Sequence, residues 1–298
     1  MYNTFNNNSN EKHIHILRTL LIFICICFFV YACILTSYYI HNQSTQKINI
    51  TYAPNKALNL VSQTLETKRQ EILNIKAGKL LNDEQYEKIR HIYSNQSEKT
   101  VFLTFDDGPS KTVTPLILDL LREKHIKATF FVLGTNVEKN PDILKREFSE
   151  GHFIANHGYS HKYSEIYQSP ETILNDYNLC EQAIRKVLNN SSFSCKVYRF
   201  PGGSSGGKYA EIKTQSKEIL KQNHIAYLDW NALTYDAEGT PTKESILSNL
   251  KSTVGNKDVV VLLMHDSSSK ILTYETLPEV INFFKDNGYT FKCLNDIL

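Results

Sequence analysis

The sequence lacks a marked excess of charge of either sign. Its 298 residues include 33 Lys and Arg against 31 Asp and Glu, which leaves a formal net charge of +2. It has no long Lys/Arg run of the kind that a phosphate backbone attracts, so no nucleic-acid partner is expected. With 41% hydrophobic and 21% charged residues, the composition is that of a globular protein rather than a disordered chain.

The sequence also has too few cysteines outside its N-terminal region to form a disulfide scaffold. Three of the six cysteines lie in an apolar stretch near the N-terminus, and the other three are Cys180, Cys195 and Cys293. An odd number of cysteines cannot pair completely. A single disulfide between Cys180 and Cys195 stays open, because the geometry of a cysteine pair does not follow from sequence.

Residues 19–40 (TLLIFICICFFVYACILTSYYI) lack any charged side chain. As a helix, a run of this length can cross a hydrocarbon core of about 30 Å. Lys12 and Arg18 precede it, and positive charges favour the cytoplasmic side of a membrane. We therefore predict a cytoplasmic N-terminus over residues 1–18 and a single-pass transmembrane anchor over residues 19–40, with the rest of the chain outside the cell membrane.

Two processed forms of this segment stay open. A cleaved signal peptide fits less well, because its apolar region is usually only about 7–15 residues long. The stretch that ends at Cys33 loosely resembles a bacterial lipoprotein cleavage box, although Tyr31 fits that pattern poorly.

Residues 41–97 are polar and contain no glycine before Gly78. Apolar side chains recur at helical spacing in part of this segment, for example Leu58, Val61 and Leu65. The aromatic residues are too few to build a separate core. We predict a partly helical stalk here, followed by a catalytic domain over residues 98–298.

Residues 98–298 alternate short β-rich runs with amphipathic stretches. The predicted strands cover residues 101–105, 128–133, 197–200, 226–230, 259–264 and 290–294. The predicted helices cover residues 112–123, 141–150, 172–188, 244–254 and 277–285. This alternation predicts an α/β fold with a parallel sheet, either closed as a barrel or open, in which ligands bind at the carboxyl ends of the strands.

Five polar motifs at predicted strand ends carry the side chains that could perform chemistry. They are TFDDGPS with Asp106 and Asp107, NHGYSH with His157 and His161, RFPGG from Arg199 to Gly203, DWNALTYDAEG with Asp236, and LLMHD with His265 and Asp266. Each motif alone has a simpler explanation, such as a turn, a surface histidine pair or a loop that begins with proline. Together they favour one site, because strand ends of a parallel sheet meet at one edge.

One carboxylate and two histidines from these motifs would make a set of three ligands with an open position, as in catalytic zinc sites. His157 and His161 are four residues apart, and on a helical turn this spacing brings both imidazoles to one face. A cation also accounts for two adjacent aspartates, because it compensates one carboxylate while the other stays ionised as a base. The His-Glu-x-x-His pattern of metalloproteases is absent, since Gly158 and Tyr159 stand where it needs glutamate.

From about Thr100 to Leu298 the chain resembles the polysaccharide deacetylases, which are family 4 of the carbohydrate esterases. The motifs TFDDGPS, ATFFVLG, GHFIANHGYSH, RFPGG and LLMHD come in that family's order and spacing. The resemblance implies a distorted (β/α) barrel and metal-dependent removal of the acetyl group from N-acetylated sugars. It does not cover the residues before about 100.

The resemblance also implies a role for each matching residue. Asp107, His157 and His161 would bind a divalent metal, with Zn²⁺ expected first and Co²⁺ or another divalent cation as alternatives. Asp106 would be the general base, and the guanidinium of Arg199 would hold it ionised.

The remaining motifs would complete the catalytic machinery and the sugar site. A backbone N–H after Pro201 would stabilise the oxyanion. His265 would protonate the departing amine, and Asp236 would orient its ring and raise its pKa. The residues expected to contact the sugar are Pro201, Gly202, Trp230 and Leu263.

Four positions depart from the family pattern. Gly158 follows the first histidine where Ser or Thr is usual, and Lys162 follows the second where Pro is frequent. Gly202 replaces the aromatic residue that commonly follows the motif proline, and Ala237 replaces a common tryptophan. These departures concern the support of the metal loop and the walls of the sugar site, while the base, the acid and the three metal ligands are all present.

We therefore expect a membrane-anchored, extracytoplasmic, metal-dependent polysaccharide N-deacetylase that acts on the N-acetylglucosamine of peptidoglycan. Chitooligosaccharide, poly-N-acetylglucosamine and acetylxylan stay open as substrates. The alternative from another class is a glycan-binding envelope protein with a vestigial metal site.

Overall fold

A computed structural model describes residues 28, 30–32, 60–69, 80–94 and 98–298. The chain divides into two compact units, Met1–Glu66 and Thr67–Leu298. Within the described residues, no helix is long and apolar enough to span a membrane. The predicted anchor over residues 19–40 lies outside the described residues except for 28 and 30–32, so it stays a prediction.

The described part of the predicted stalk contains two kinds of helix. Residues 60–69 are helical and exposed. Helix α1 (Asp83–Arg90) instead buries Tyr86 and Ile89 in a cluster that includes Phe102 of the sheet. The fold of the second unit therefore begins before the boundary predicted at residue 98, because α1 has an apolar face that the sheet covers.

Eight strands and nine helices make up the described part of the second unit between residues 80 and 298. The strands are β1 (Thr100–Asp106), β2 (Thr129–Val132), β3 (Phe153–Asn156), β4 (Val197–Tyr198), β5 (Ala226–Tyr227), β6 (Ala232–Leu233), β7 (Val259–His265) and β8 (Thr290–Lys292). The helices after α1 are α2 (Thr114–Glu123), α3 (Gly134–Lys139), α4 (Pro141–Ser149), α5 (Tyr163–Ile166), α6 (Pro170–Leu188), α7 (Ala210–Gln222), α8 (Lys243–Val254) and α9 (Ile271–Asp286). A short 3₁₀ helix over Leu294–Asp296 ends the chain.

The strands form one parallel sheet in the order β5-β4-β3-β2-β1-β7-β6, with β8 beside β1. The central strand β1 pairs with β7 along its whole length, from Thr100 opposite Val259 to Asp106 opposite His265. Its other edge pairs first with β8 and then with β2. No ladder joins β5 to β6 within the described residues, so the sheet is an open half-barrel rather than a closed barrel.

The sequence predicts most of the strands and helices of the second unit. All six predicted strands and all five predicted helices are confirmed, with shifts at their ends. Strands β3 and β6, of four and two residues, are additional to the prediction. Helices α3, α5 and α7 are likewise additional, and α7 has 13 residues, so length alone does not decide which elements the sequence reveals.

Strand β1 shows how the fold separates its core from its site. Side chains alternate along a strand, so Val101, Leu103 and Phe105 join the larger apolar cluster, which also contains buried side chains of the helices. The opposite face carries Thr104 and ends with Asp106, both buried. The strand therefore places a carboxylate at the carboxyl edge of the sheet, on the inner face of the half-barrel.

The cysteines of the second unit are not paired. Cys180, Cys195 and Cys293 are free and buried. The disulfide between Cys180 and Cys195 that the sequence leaves open is therefore absent.

Candidate functional site

A cavity of about 290 Å³ opens at the carboxyl edge of the sheet. The motifs from separate strand ends meet there, as the sequence predicts. The expected site residues that line it are Asp106, Asp107, His157, His161, Gly202, Trp230, Asp236, Leu263 and His265. Arg199 and Pro201 do not line the cavity, and Arg199 reaches the lining through its hydrogen bond to Asp106.

The two adjacent aspartates face different partners because the chain turns between them. Asp106 is the last residue of β1, whereas Asp107 has a left-handed backbone with φ of 75°. The side chain of Asn136 holds this turn by donating to the carbonyl oxygen of Asp107 at 2.8 Å. The two carboxylates therefore have different surroundings although they are neighbours in sequence.

Asp107, His157 and His161 form a cluster that fits a divalent cation. One ligand atom from each residue lies within 4.8 Å of the other two. Oδ1 of Asp107 is 3.6 Å from Nε2 of His157 and 3.4 Å from Nε2 of His161. That oxygen is buried and has no hydrogen-bond partner among the described residues, a costly arrangement that a cation would relieve. One carboxylate and two imidazoles are also a donor set that catalytic zinc sites use.

His157 is prepared to act as a neutral ligand. Its Nδ1–H donates to the carbonyl oxygen of Arg199 at 2.8 Å, which leaves the lone pair of Nε2 for a metal. Burial lowers the pKa of His157 to about 3 and outweighs the opposing charge of Asp107. The ring therefore stays unprotonated at neutral pH.

The two histidines lie on a loop after β3, so the expectation that a helical turn presents them is wrong. Gly158 breaks the helical path with φ of +88°. The carboxylate of Asp176 on α6 accepts the next two backbone N–H groups, at 2.7 Å and 3.2 Å. A Cβ on Gly158 would overlap Oδ2 of Asp176. Glycine therefore stands after the first histidine because a buried carboxylate supports the loop at that point.

Asp106 has the surroundings of a general base. Its Oδ1 accepts from Nη1 of Arg199 at 2.8 Å, and only 2% of the residue is exposed. Burial raises the pKa of Asp106, and the positive charge of Arg199 offsets part of this effect. Its Oδ2 lies 3.6 Å from Nε2 of His157, at the border of the metal cluster. Asp106 is thus held by one oxygen and presents the other to the site.

Four hydrogen bonds fix the guanidinium of Arg199. Besides Asp106, its guanidinium donates to Oγ1 of Thr104 at 2.7 Å and to the carbonyl oxygens of Leu228 and Asp229, both at 3.0 Å. It also lies 3.9 Å from the centre of the Phe131 ring. A buried guanidinium with these contacts has one orientation, which sets the position of the Asp106 carboxylate.

His265 and Asp236 form a second pair in the lining of the cavity. Nδ1–H of His265 donates to Oδ1 of Asp236 at 2.9 Å, and its backbone N–H donates to Oδ2 at 2.8 Å. Thr273 donates to the same Oδ2 at 2.7 Å. Burial alone lowers the pKa of His265, but the hydrogen bond and charge of Asp236, with smaller contributions from Asp106 and Asp107, raise it to about 9. His265 is therefore an imidazolium at neutral pH, with Nε2 left for proton transfer.

Two hydrogen bonds hold the RFPGG loop so that the backbone N–H of Gly202 points away from the side chains that support the loop. The hydroxyl of Tyr167 donates to the carbonyl oxygen of Pro201 at 2.6 Å, and Nζ of Lys213 donates to that of Gly202 at 3.3 Å. In a trans peptide the C=O and N–H groups point in opposite directions, so the N–H of Gly202 is directed away from Tyr167. Among the backbone hydrogen bonds of the described residues, this N–H has no acceptor.

The cavity walls also contain aromatic residues that are not predicted from the sequence. Trp230 and Leu263 line the cavity as expected, and Tyr163, Leu233 and Tyr235 line it in addition. Pro201 does not line it, since its contribution is the carbonyl that Tyr167 holds. Tyr163 is the first residue of α5, and Tyr235 lies in the loop after β6. No hydrophobic periodicity in the sequence identifies either position.

Asp266, which follows His265, has a supporting position below the cavity. Its Oδ2 accepts from Oγ1 of Thr114 at 2.5 Å, and its carboxylate packs where a Cβ on Gly108 would lie. Burial raises the pKa of Asp266 to about 7. The residue therefore braces the turn that follows the aspartate pair and does not enter the cavity.

The chain is similar to proteins of one family. Residues 93–224 match the family model described as polysaccharide deacetylase. A peptidoglycan-N-acetylglucosamine deacetylase of Bacillus cereus is 30% identical over 209 residues, which cover 68% of this chain and 72% of the relative. The structure of a Streptococcus mutans CE4 esterase superposes with a TM-score of 0.64 at 35% identity, over 73% of this chain and 93% of that one. The catalytic domain of a peptidoglycan N-acetylglucosamine deacetylase from Eubacterium rectale superposes with a TM-score of 0.61 at 34% identity, over 67% and 90%.

Proposed function

Because this chain belongs to the polysaccharide deacetylase family, we propose that it is a metal-dependent N-deacetylase of peptidoglycan N-acetylglucosamine. The names of the similar proteins from Bacillus cereus and Eubacterium rectale support this substrate. The observation that carries the proposal is the position of Asp106, which contacts Arg199 and borders the cluster of Asp107, His157 and His161 without belonging to it. A free carboxylate beside a cation site is the arrangement that activates water.

Asp107, His157 and His161 are the residues that would hold the cation, and we propose Zn²⁺. When bound, such an ion supplies Lewis-acid chemistry, which polarises the acetyl carbonyl and acidifies a water. The orphaned Oδ1 of Asp107 and the Nε2 lone pair of His157 are both directed to this place.

Asp106 would remove a proton from the attacking water. Since Arg199 occupies Oδ1 of Asp106, Oδ2 is the oxygen that accepts this proton. The raised pKa of Asp106 brings it nearer to the range in which a carboxylate is an effective base. Negative charge then develops on the acetyl oxygen, and the N–H of Gly202 is placed to donate to it.

His265 would complete the reaction by giving a proton to the departing amine. The partnership with Asp236 keeps His265 protonated until this step and fixes its ring. Asp106 and His265 thus take opposite roles because burial dominates the surroundings of the first and a carboxylate partner dominates those of the second.

The proposal includes a location, namely a single-pass membrane anchor with the catalytic domain outside the cytoplasm. It is supported by the uncharged residues 19–40 and by Lys12 and Arg18 before them. Proteinase K added to protoplasts should remove the catalytic domain and leave an epitope fused to the N-terminus protected. Protection of the catalytic domain would contradict this location.

Acetate release from defined glycans tests the proposed activity. The zinc-loaded full-length protein should release acetate and expose free amines on purified peptidoglycan, and both products should disappear after chelation and return with zinc. Asp106→Asn serves as the matched control, because it removes the base and keeps the three metal ligands.

Other outcomes assign the protein elsewhere. Release from chitooligosaccharide, poly-N-acetylglucosamine or acetylxylan alone would keep the chemistry and change the substrate. Glycan binding with no product from the wild type or the Asp106→Asn variant would identify a binding protein with a vestigial site. Release that chelation does not affect would contradict the metal mechanism.

A further inference from the structure

The RFPGG loop has a gap in its wall that a tyrosine from another loop fills. Gly202 lines the cavity but has no side chain. A Cβ built on Gly202 would lie 2.7 Å from the hydroxyl oxygen of Tyr163, and the backbone there has φ of +72°. A side chain at position 202 would therefore be strained by the backbone and would require Tyr163 to shift.

Tyr163 is held in this place by other rings. It is the first residue of α5 and follows the second histidine of the metal cluster by two positions. Its ring packs edge-on against His161, with centroids 5.4 Å apart, and against Tyr167, with centroids 5.6 Å apart. Tyr163 is 39% exposed and lines the cavity. It is thus fixed on two sides and open towards the cavity.

The hydroxyl of Tyr163 is available to a ligand. In the described part of the chain it makes no hydrogen bond, whereas the hydroxyl of neighbouring Tyr167 is bonded to Pro201. It lies beside the position that a Cβ of Gly202 would take, and Gly202 is the residue whose N–H faces the acetyl oxygen in the proposed reaction. A tyrosine hydroxyl carries its proton at neutral pH, so it can donate a hydrogen bond.

We propose that Tyr163 is a substrate-contacting residue whose ring replaces the wall missing at Gly202 and whose hydroxyl donates a hydrogen bond to the bound acetamido sugar. The inference rests on the proposed function, since it concerns the same site. Tyrosine suits this task because it presents a large amphipathic surface with only two side-chain torsions to fix. In this chain, the aromatic contact would come from the loop of the metal histidines instead of the RFPGG loop.

Three variants separate the ring from the hydroxyl and from simple packing. Tyr163→Phe keeps the ring, and Tyr163→Ala removes both parts. Tyr209→Ala is the matched control, because Tyr209 stacks on Tyr167 with centroids 5.1 Å apart but lies outside the cavity lining. All three are measured with zinc-loaded full-length protein and soluble peptidoglycan glycan strands as substrate.

We expect Tyr163→Ala to raise KM about tenfold and Tyr163→Phe about threefold, which correspond to the loss of one aromatic contact and one hydrogen bond. The kcat of Tyr163→Phe should stay within about threefold of the wild type, and bound zinc should be unchanged in all variants. Tyr209→Ala should leave KM unchanged. The same ranking should appear in the dissociation constant for the glycan strands when each change is combined with Asp106→Asn, which removes turnover.

Different failures point to different errors. If the wild type releases acetate and Tyr163→Ala has the KM of the wild type, the inference is wrong and the proposed function stands. An equal rise in KM for Tyr209→Ala would also overturn it, because the effect would then come from packing on Tyr167. If the wild type neither releases acetate nor binds the strands, the proposed function fails and the inference with it. Tyr163→Phe retains the ring that packs on His161 and Tyr167, so it tests the hydroxyl even if the alanine variant folds poorly.

Discussion

The two ends of the cavity differ in how their side chains are held. At the chemical end, Asp106 and Arg199 are 2% and 0% exposed and belong to strands or the residues directly after them. At the sugar end, Tyr163 and Tyr235 are each 39% exposed and come from outside the sheet. Burial at the first end leaves its polar groups fixed by hydrogen bonds, apart from Oδ1 of Asp107 in the cation cluster, whereas the tyrosines of the second end are partly exposed to solvent.

This difference predicts where substitutions act. Changes at the chemical end should lower kcat, because those residues contact the reacting atoms or hold the ones that do. Changes at the sugar end should raise KM and spare kcat. A substitution at the second end that lowers kcat, or one at the first end that changes only KM, would show that the two ends are not independent.

The largest effect is expected from removal of a metal ligand. Asp107→Ala leaves two imidazoles without their carboxylate, so bound zinc should be lost and kcat should fall about 10⁴-fold. Elemental analysis of the purified variant and acetate release check both parts. A variant that retains stoichiometric zinc would show that Asp107 is not a ligand.

Loss of the neighbouring aspartate should be nearly as severe but leave the metal in place. Asp106→Asn removes the base, but asparagine has the size of aspartate and keeps an oxygen that can accept from Arg199. We therefore expect kcat to fall about 10³-fold while the zinc content stays constant. Paired measurement of zinc and kcat for the two adjacent positions is the sharpest test of their separate functions. Loss of zinc in both variants would show that Asp106 and Asp107 both bind the metal.

The acid pair should govern the alkaline limb of the pH profile. His265 is active when protonated, so activity should be lost as pH rises through about 9, where its pKa lies. Asp236→Asn removes the partner that raises this pKa, so it should lower kcat about 100-fold at neutral pH and move the alkaline limb to lower pH. An alkaline limb at the same pH in Asp236→Asn as in the wild type would show that a group other than His265 causes it.

A smaller effect is expected between the two ends, at the support of the RFPGG loop. Tyr167→Phe leaves the buried carbonyl of Pro201 without its donor, which should cost about 1–3 kcal/mol of unfolding free energy. It should also lower kcat up to about tenfold, because the N–H of Gly202 is less firmly aimed. Denaturant unfolding and steady-state kinetics measure the two effects. An unchanged kcat would show that the hydrogen bond of Tyr167 to the RFPGG loop does not contribute to catalysis.

The chemical end is largely predictable from the sequence, because its residues lie at the ends of β-rich runs. Asp106, His265 and Asp107 terminate or directly follow long apolar strands, and a parallel sheet brings such ends to one edge. The histidine pair is predictable as a pair but not in its conformation. Its loop depends on Asp176, which lies on a helix that begins after the motif.

The sugar end is not predictable in the same way. The glycine at position 202 shows from sequence that an aromatic contact is missing there, but nothing local indicates that Tyr163 takes its place. That replacement depends on the path of two loops in space and on contacts with His161 and Tyr167. The early start of the fold at α1 escapes prediction for a similar reason, since its apolar face is defined only by the sheet that covers it.

The most direct test of the account is an anomalous difference map, recorded at the zinc absorption edge from crystals of the zinc-loaded protein. We predict one strong peak at about 2.0–2.2 Å from a carboxylate oxygen of Asp107 and from Nε2 of both His157 and His161, with Asp106 turned to Arg199 and outside coordination distance. A peak coordinated by Asp106, or no peak where these three side chains meet, would contradict it.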